Sequence, residues 1–302
     1  MAVGERDPVT GRNTTGHEWN GIRELDTNVP RIVIVALIAT TLFSIVYWIL
    51  MPAWPIGTTY TRGMLGVDQR DSVERSVERA TVDREVWASR IRSLDLEEVR
   101  ETPELMAVVR EGGRTLFGDN CAACHGLSGT GGPGYPDLTA GAWLWGGDPD
   151  TILETLRVGI NSDHPETRFA QMPAFGRDGI LDTSEIAAIV SFLRANAEGI
   201  MEPSERDERG VEEGQELFAQ NCAACHGMDA RGTPEMGAPD LLDANWVHGG
   251  DRAALFASIA NGRQAHMPHW DERLDEVQRR ILALYVVELS ARDADGKSSG
   301  HE

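Results

Sequence analysis

The sequence has few cysteines and little positive charge. Its 302 residues include only four cysteines, and all four lie in two short motifs, so none remains for a disulfide framework. Lysine and arginine number 28 against 48 aspartate and glutamate residues, which gives a net charge of −20. Such an acidic chain is poorly suited to bind nucleic acid, and we predict no nucleic-acid partner.

The negative charge is unevenly distributed along the chain. Residues 1–51 contain four arginines and five acidic residues, so nearly all of the net charge belongs to the remainder. An acidic globular region can steer a basic partner towards it, and a solvated surface that only improves solubility is the alternative. The hydrophobic content of 41% is sufficient for buried cores.

The pentapeptide Cys-Ala-Ala-Cys-His occurs twice, ending at His125 and His226. In Cys-x-x-Cys-His motifs the two thiols add to the vinyl groups of haem c and the histidine ligates the iron. We therefore predict two covalently bound haem c groups, attached through Cys121, Cys124, Cys222 and Cys225. A zinc site or a redox dithiol is the alternative, but zinc needs four donors and a dithiol needs no histidine after the second cysteine.

The two motifs are embedded in a longer repeat. Residues 113–117 align with 214–218, and residues 136–148 align with 239–251. Each repeat begins with a glycine four residues before an aromatic residue, which suits a first helix that crosses a terminal helix closely. Each repeat also ends in a predicted amphipathic helix, capped by Asp182 or Thr183 in the first and by Asp275 in the second.

Methionine is the predicted sixth ligand of each iron, because a thioether fills that position in many cytochromes. Met172 and Met267 both precede a proline and both have an aromatic residue three positions later. Proline stiffens the loop and helps to hold a weakly bonding sulfur on iron. We predict that His125 and Met172 ligate the first iron and that His226 and Met267 ligate the second, and the sequence leaves open whether each methionine serves its own repeat or crosses to the other.

Other methionines and histidines are weaker candidates for the sixth ligand. Met228 and Met236 lie too close to His226 or lack a counterpart in the first repeat, and Met106 and Met201 lie at domain edges. Bis-histidine ligation is an alternative that would use one of four histidines: His164, His248, His266 and His269. Of these, His266 is the most serious rival because it adjoins Met267.

Residues 32–51 contain no charged side chain and are long enough to cross a membrane as a helix. A signal peptide is the alternative, but its apolar core would be shorter and nearer the N-terminus. Because bacteria attach haem c outside the cytoplasmic membrane, we predict a single pass of the inner membrane with periplasmic haem domains. Arg23 and Arg31 before the span support a cytoplasmic N-terminus.

The sequence predicts five parts. They are a cytoplasmic N-terminal segment (1–31), a transmembrane helix (32–51), a periplasmic linker with a helix (52–107), a first cytochrome c domain (108–200) and a second one with a short tail (201–302). Residues 68–101 within the linker are rich in opposite charges at helical spacing, with a thin apolar stripe of Val73, Val77, Val82, Val86 and Ile91. They are expected to form a linker helix, a helix docked on a partner, or a solvated spacer.

The repeats, the methionine-proline segments and the terminal helices together resemble two class I cytochrome c domains in tandem. The N-terminal residues 15–25 (TGHEWNGIREL), together with 28–31 and 52–55, resemble the dihaem subunit of cbb3-type cytochrome c oxidases, the CcoP or FixP type, also called subunit III. The resemblance covers nearly the whole chain. It implies an all-α fold with one N-terminal transmembrane helix and two tandem cytochrome c domains.

The resemblance also implies a function. The chain is expected to pass electrons from a periplasmic or membrane-bound cytochrome c to the monohaem cytochrome and the catalytic haem-copper subunit of the oxidase, in aerobic or microaerobic respiration. It is not expected to be an enzyme by itself, and no catalytic residue is predicted. A dihaem peroxidase, a free-standing membrane cytochrome and a gas sensor with a labile methionine bond are the alternatives.

Overall fold

The computed structural model describes residues 5–198 and 208–298 of the chain and divides them into two units, one ending at Asp83 and one beginning at Arg84. Helices predominate in both units, and the predicted all-α class is confirmed. In these two ranges the only strands form two short hairpins. The predicted boundary between the repeats at residue 200, and Met201 beside it, lie outside the described residues.

The first unit begins with a β-hairpin that the sequence reading did not predict. Strand β1 (Thr14–Trp19) pairs antiparallel with β2 (Ile22–Leu25). The two residues between them, Asn20 and Gly21, both have positive φ, at 51° and 85°. Asn-Gly is a typical two-residue hairpin loop because its backbone twist matches that of the strands. The hairpin therefore follows from a local signal.

Helix α1 (Arg31–Leu50) corresponds to the predicted membrane span, displaced by one residue at each end. It is long and apolar enough to cross a membrane, and none of its residues is buried within the protein. The chain then folds back over its end, where Met64 and Leu65 donate backbone hydrogen bonds of 2.9 and 3.0 Å to the carbonyls of Ile49 and Leu50. A small hairpin of β3 (Pro55–Ile56) and β4 (Thr59–Tyr60) lies in the chain between the end of α1 and Met64.

Helix α2 extends from the first unit into the second, which otherwise contains nine further α-helices among the described residues. The helices are α2 (Gln69–Ser93), α3 (Leu96–Arg100), α4 (Pro103–Asn120), α5 (Ala122–His125), α6 (Pro149–Val158), α7 (Thr183–Asn196), α8 (Glu208–Asn221), α9 (Ala223–His226), α10 (Arg252–Asn261) and α11 (Glu276–Ser298). A short 3-10 helix covers Pro234–Met236. The predicted caps are present, since Asp182 accepts from the backbone of Glu185 and Asp275 from that of Gln278.

One hydrophobic core, which we call the first core, joins the start of the first repeat to the end of the second. Its residues come from α2, α3, α4, α6, α11 and the segment just before α11: Ala88, Ile91, Leu96, Val99, Leu105, Met106, Val109, Phe117, Ile152, Leu156, Trp270, Leu274, Val277, Ile281, Leu282, Ala283, Leu284, Tyr285 and Val286. Residues 84–107, predicted to be linker, therefore belong partly to a core. Of the predicted apolar stripe of α2, Ile91 is buried, together with Ala88, whereas Val73, Val77, Val82 and Val86 are exposed.

The second core joins the end of the first repeat to the start of the second. It joins α7 and the segment before it, from the first repeat, to α8, α10 and the loop after α9 in the second. Its buried residues are Leu181, Ile186, Ile189, Val190, Leu193, Phe218, Ala230, Leu255 and Ile259. The terminal helix of each repeat thus packs with the first helix of the other repeat, an exchange of terminal helices, and the domain boundaries 108–200 and 201–302 stay a prediction.

Equivalent aromatic contacts mark the two exchanged helix crossings. Phe117 of α4 lies 5.8 Å from Tyr285 of α11 between ring centroids, and Phe218 of α8 lies 5.3 Å from Phe192 of α7. The predicted close crossing of first and terminal helices is confirmed, but each crossing joins helices of different repeats. Amphipathic patterns determine which face is buried without determining the partner, so either pairing satisfied the sequence.

The crossing of α4 and α11 depends on Gly113, and its substitution provides a test. A Cβ atom added at Gly113 would lie 2.6 Å from the Cβ of Tyr285, whereas one at the neighbouring Gly112 would lie 4.0 Å from the nearest atom of Ile281. We expect Gly113→Ala to reduce the free energy of unfolding by about 1–3 kcal/mol, because overpacking displaces α11. Thermal unfolding measured by circular dichroism would show the change.

Gly112→Ala is the matched control, since it removes a glycine from the same helix without the clash. It should be neutral or stabilising by about 0.5–1 kcal/mol, because alanine is the better helix former. Equal effects of the two substitutions would contradict a close crossing at Gly113.

Candidate haem-binding sites

Both Cys-Ala-Ala-Cys-His motifs form a short helical turn directly after a longer helix. The turns are α5 and α9, and Cys121 and Cys222 occupy their N-cap positions with nearly identical backbone angles. In such a turn, residues i, i+3 and i+4 share one face, so the two thiols and the histidine of each motif project together. The two turns therefore present the same donor set for a covalently attached porphyrin.

A backbone carbonyl orients the histidine of each motif. Nδ1 of His125 lies 3.2 Å from the carbonyl oxygen of Pro136, and Nδ1 of His226 lies 3.2 Å from that of Pro239. A carbonyl can only accept, so Nδ1 carries the proton and Nε2 keeps a lone pair for a metal. Burial lowers the pKa of both histidines, against a smaller opposing effect of these hydrogen bonds. Both imidazoles are therefore held neutral in the tautomer that iron requires.

The first thiol of each motif lies in apolar surroundings. Burial raises the pKa of Cys121 and of Cys222 to about 11, and the second cysteine of each motif adds a smaller contribution in the same direction. Zinc binds thiolate, so surroundings that disfavour the anion fit a neutral thioether better than a zinc ligand. The chemistry of these sites therefore suits haem attachment.

The two candidate methionines are held by equivalent pairs of backbone hydrogen bonds. Met267 exchanges bonds of 2.9 Å in both directions with Ile160, and Met172 exchanges bonds of 2.8 and 3.1 Å with Arg263. Ile160 follows the end of α6 in the first repeat, and Arg263 follows the end of α10 in the second. Each methionine segment is therefore fastened to the other repeat.

A left-handed glycine makes room for each methionine segment. Gly159 has φ of 68°, and a Cβ atom there would lie 2.5 Å from the carbonyl oxygen of Met267. Gly262 has φ of 71°, and a Cβ atom there would lie 2.5 Å from the carbonyl oxygen of Met172. Only glycine combines this conformation with such a close approach. We call Gly159 and Gly262 the cradle glycines, because each lets a methionine segment of the other repeat pack against its backbone.

The packing of the two methionines differs from the pairing of His125 with Met172 and of His226 with Met267. Met267 packs against the first core together with Cys121, and Met172 packs against the second core together with Cys222. Each methionine thus lies with the haem-attachment turn of the other repeat. The sequence could not distinguish the two pairings because the repeats carry the same pattern at the same places.

The alternative ligands predicted from the sequence lie in less suitable environments. Both ring nitrogens of His269 lie near carboxylates, Nδ1 at 2.6 Å from Asp271 and Nε2 at 3.1 Å from Asp163. Nε2 of His164 lies 3.4 Å from the same Asp271. His266 is exposed. His248 is exposed as well.

Of the remaining methionine candidates, Met228 and Met236 are 75% and 48% exposed, whereas Met106 is buried in the first core. High exposure is a poor setting for a thioether on a buried iron. The structure therefore leaves Met172 and Met267 as the best-placed methionines among the described residues.

Each core also contains a buried indole N–H without a protein acceptor. Nε1 of Trp270, in the first core, and Nε1 of Trp246, packed against the second, have no hydrogen-bond partner among the described residues. Buried donors are normally paired, so an unpaired one in each core indicates a missing acceptor. The carboxylates of haem propionates supply acceptors of this kind. The donor set, the tautomers and the unpaired indoles all fit haem c.

Sequence reasoning missed the roles of Pro136 and Pro239 and of the glycine cradles. The signal was available for the prolines, because they head the aligned segments Pro-Asp-Leu of the two repeats. Their carbonyls orient the histidines, which explains why the segment recurs. The cradles at Gly159 and Gly262 lack a comparable local signal, since their role depends on contact with the other repeat.

Three family models match consecutive parts of the chain. Residues 11–58 match the N-terminal domain of cytochrome oxidase-cbb3, FixP; residues 111–197 match cytochrome c; and residues 209–286 match cytochrome c oxidase, cbb3-type, subunit III. The first match covers the hairpin and α1. The other two cover the haem-attachment turns, so the chain contains two cytochrome c domains and binds haem c. An apolar helix at the N-terminus indicates that it is anchored in a membrane.

Curated relatives match over nearly their full length. The cbb3-type cytochrome c oxidase subunit FixP of Bradyrhizobium sp. (strain ORS 278) is 42% identical over 94% of this chain and 97% of its own. Subunit CcoP of Azospirillum brasilense is 39% identical over 96% and 99%, and CcoP of Cereibacter sphaeroides is 38% identical over 90% and 93%. The chain therefore belongs to the CcoP and FixP family of cbb3-type cytochrome c oxidase subunits and is an electron-transfer subunit of that complex.

Proposed function

We propose that the chain carries two haem c groups, one at each Cys-Ala-Ala-Cys-His turn, and that each iron has one axial ligand from each repeat. His125 and Met267 would ligate the first iron, and His226 and Met172 the second. The thioether links would be made by Cys121, Cys124, Cys222 and Cys225. The observation that carries this proposal is the pair of backbone bridges that fastens each methionine to the opposite repeat.

Haem c supplies reversible one-electron chemistry when bound, and the protein supplies ligands, spacing and protection. The carbonyls of Pro136 and Pro239 hold the histidines in the iron-binding tautomer. The backbone bridges hold the methionine segments close to the other core, so both ligands stay in place on gain or loss of an electron. A fixed ligand set keeps the reorganisation small and favours electron transfer over binding of oxygen.

The exchange gives the two haem sites a common framework. Because each core uses helices of both repeats, the two haem-attachment turns cannot move relative to one another without distorting both cores. A rigid interior transmits such strain, since protein cores are closely packed. Haems attached at the two turns would therefore be held at a constant distance, as an electron relay needs.

The haem content of the chain tests this proposal directly. A pyridine haemochrome assay on the purified protein should give two haems per chain. Cys121→Ala combined with Cys124→Ala, or Cys222→Ala combined with Cys225→Ala, should give one haem each, because each pair removes one attachment site. One haem per chain in the unmodified protein, resistant to acid-acetone extraction, would contradict the proposal of two sites.

The proposed orientation has the N-terminus in the cytoplasm and the second unit in the periplasm, with a single pass of the bacterial inner membrane. Attachment of haem c on the outer side of that membrane supports this orientation. Trp48 and Trp54, whose ring centroids lie 5.1 Å apart, are at the end of α1 that would face the periplasm. Aromatic residues are frequent at that interface. Arg23 and Arg31 lie at the proposed cytoplasmic end.

The proposed electron path begins at a periplasmic or membrane-bound cytochrome c and continues to the monohaem cytochrome and the catalytic haem-copper subunit of the oxidase. The relatives named CcoP and FixP support the oxidase as the destination. The acidic composition supports a basic donor, because most of the net charge of −20 lies after the membrane span. Oxygen reduction would take place in the catalytic subunit.

Electrostatic steering of the donor predicts a dependence on salt. We expect the second-order rate constant for reduction by a basic cytochrome c to fall by about tenfold or more between low and high ionic strength, because the Debye length shortens to about 8 Å at physiological salt. Stopped-flow absorbance measures this rate. An uncharged reductant is the control and should show little dependence. A rate that does not change with salt would mean that the acidic charge serves solubility only.

A further inference from the structure

The side chain of Asn161 joins the two methionine segments. Its Nδ2 donates hydrogen bonds of 2.8 Å to the carbonyl oxygen of Ala170 and 2.7 Å to that of Ala265. Its Oδ1 accepts a bond of 3.2 Å from the backbone of Ala170. Ala170 lies two residues before Met172, and Ala265 lies two residues before Met267. One amide group therefore bridges the segments that carry both candidate ligands.

The contacts of Asn161 leave only one assignment for its amide. Two of its partners are carbonyl oxygens and one is an N–H, so Nδ2 and Oδ1 cannot be interchanged. The backbone N–H of Asn161 also donates to the carbonyl oxygen of Arg168, at 2.8 Å. Its φ of 47° lies in the left-handed region, which asparagine adopts more readily than most residues. The residue type suits both the backbone and the bridge.

The bridge occurs once, although the surrounding structure is repeated. Gln264 holds the equivalent position in the second repeat, since Asn161 and Gln264 each lie two residues after a cradle glycine, Gly159 and Gly262. The side chain of Gln264 is exposed and makes no hydrogen bond to another described residue in the structure. The two repeats therefore differ at this position: Asn161 contacts both methionine segments, whereas Gln264 contacts neither with its side chain.

We infer that Asn161 is a positioning residue that couples the two methionine segments. The strength of the iron–methionine bond at both haems would then depend on this one side chain. This inference rests on the proposed function, in which Met172 and Met267 are the sixth ligands. A backbone bridge positions each methionine separately. Asn161 adds a side chain that contacts both segments at once, and its loss would loosen both.

Two substitutions of Asn161 in the full-length holoprotein test whether its hydrogen bonds position the two methionines. Asn161→Gly removes all three side-chain hydrogen bonds while tolerating the left-handed backbone, so it adds no local strain. Asn161→Asp keeps the size and the acceptor but loses both donors, and it reports on the bridge even if the glycine variant assembles poorly. Gln264→Gly is the matched control at the equivalent position.

The readouts are the near-infrared methionine-to-iron charge-transfer band of the oxidised protein, the midpoint potentials of both haems, and binding of carbon monoxide to the reduced protein. Loss of a supporting contact around a metal ligand weakens the metal site by about tenfold or more. We expect both Asn161 variants to lower both potentials and to raise the affinity for carbon monoxide by about tenfold at both haems. Gln264→Gly should leave all three readouts unchanged.

Changes at one haem only, no change at either haem, or equal changes in the Gln264→Gly control would overturn the inference. Its failure is distinguishable from failure of the proposed function. If the unmodified protein shows no methionine-to-iron band, the ligand assignment itself is wrong. If the band is present and both Asn161 variants match the unmodified protein, only the coupling by Asn161 is refuted.

Discussion

A chain that ends at residue 198 is expected to lose the haem site at Cys121 and Cys124, although it retains the whole first repeat. The fragment lacks α11, which places six large buried side chains in the first core: Val277, Ile281, Leu282, Leu284, Tyr285 and Val286. At about 1.5–3 kcal/mol for each such side chain, their loss removes on the order of 10 kcal/mol. That amount is comparable with the whole stability of a typical domain.

The measurement for this fragment is haem content and helicity after expression together with the haem-attachment machinery. We expect little helical signal and little stable haem. Co-expression with a second fragment, residues 208–302, is the control, because the two pieces together supply both cores and should recover helix and haem. A stable fragment 1–198 with a six-coordinate haem would show that the repeats fold independently, contrary to the exchange.

Substitution of either methionine is expected to change the haem on the opposite repeat. In a chain that carries only the first haem, because Cys222 and Cys225 are both replaced by alanine, Met267→Ala should lower the midpoint potential. Met172→Ala should leave it nearly unchanged. Axial ligands set haem potentials over a range of about 0.8 V, so we expect a decrease on the order of a hundred millivolts or more.

Potentiometric titration measures these potentials, and the reciprocal chain, which lacks Cys121 and Cys124, should show the opposite dependence. Met228→Ala is a suitable control, because Met228 is 75% exposed and should not affect either haem. If instead Met172→Ala lowers the potential of the first haem and Met267→Ala does not, the pairing within repeats predicted from the sequence alone is correct.

Local features of this protein could be predicted from the sequence because local patterns determine them. The Cys-Ala-Ala-Cys-His turns, the apolar helix α1 and the caps at Asp182 and Asp275 each depend on a few neighbouring residues. The hairpin at Asn20 and Gly21 belongs to the same class, and its Asn-Gly signal was present but not used. These elements need no knowledge of the rest of the chain.

The exchange of terminal helices could not be predicted, for a physical reason. The apolar faces of α7 and α11 follow the same helical period, so either helix could pack against α4 or against α8. Partner choice then depends on contacts between distant segments, such as Arg280 of α11 with the carbonyls of Ile91 and Leu94. Burial of α2 in the first core is a consequence of the same distant contacts.

The two methionines illustrate the difference between identifying a residue and placing it. Their shared context, a following proline and an aromatic residue three positions later, marked both as candidate ligands. Their placement depends on the bridges to Ile160 and Arg263, residues with no distinctive type. A bridge formed by backbone atoms leaves little trace in side-chain identity, so the pairing was open until the fold was known.

The most direct test of the exchanged sites is an experimental structure of the holoprotein in which each iron and its axial ligands are resolved. The exchange predicts continuous density from the iron held by His125 to the sulfur of Met267, and from the iron held by His226 to the sulfur of Met172. Density that joins His125 to Met172 across the first iron would contradict it.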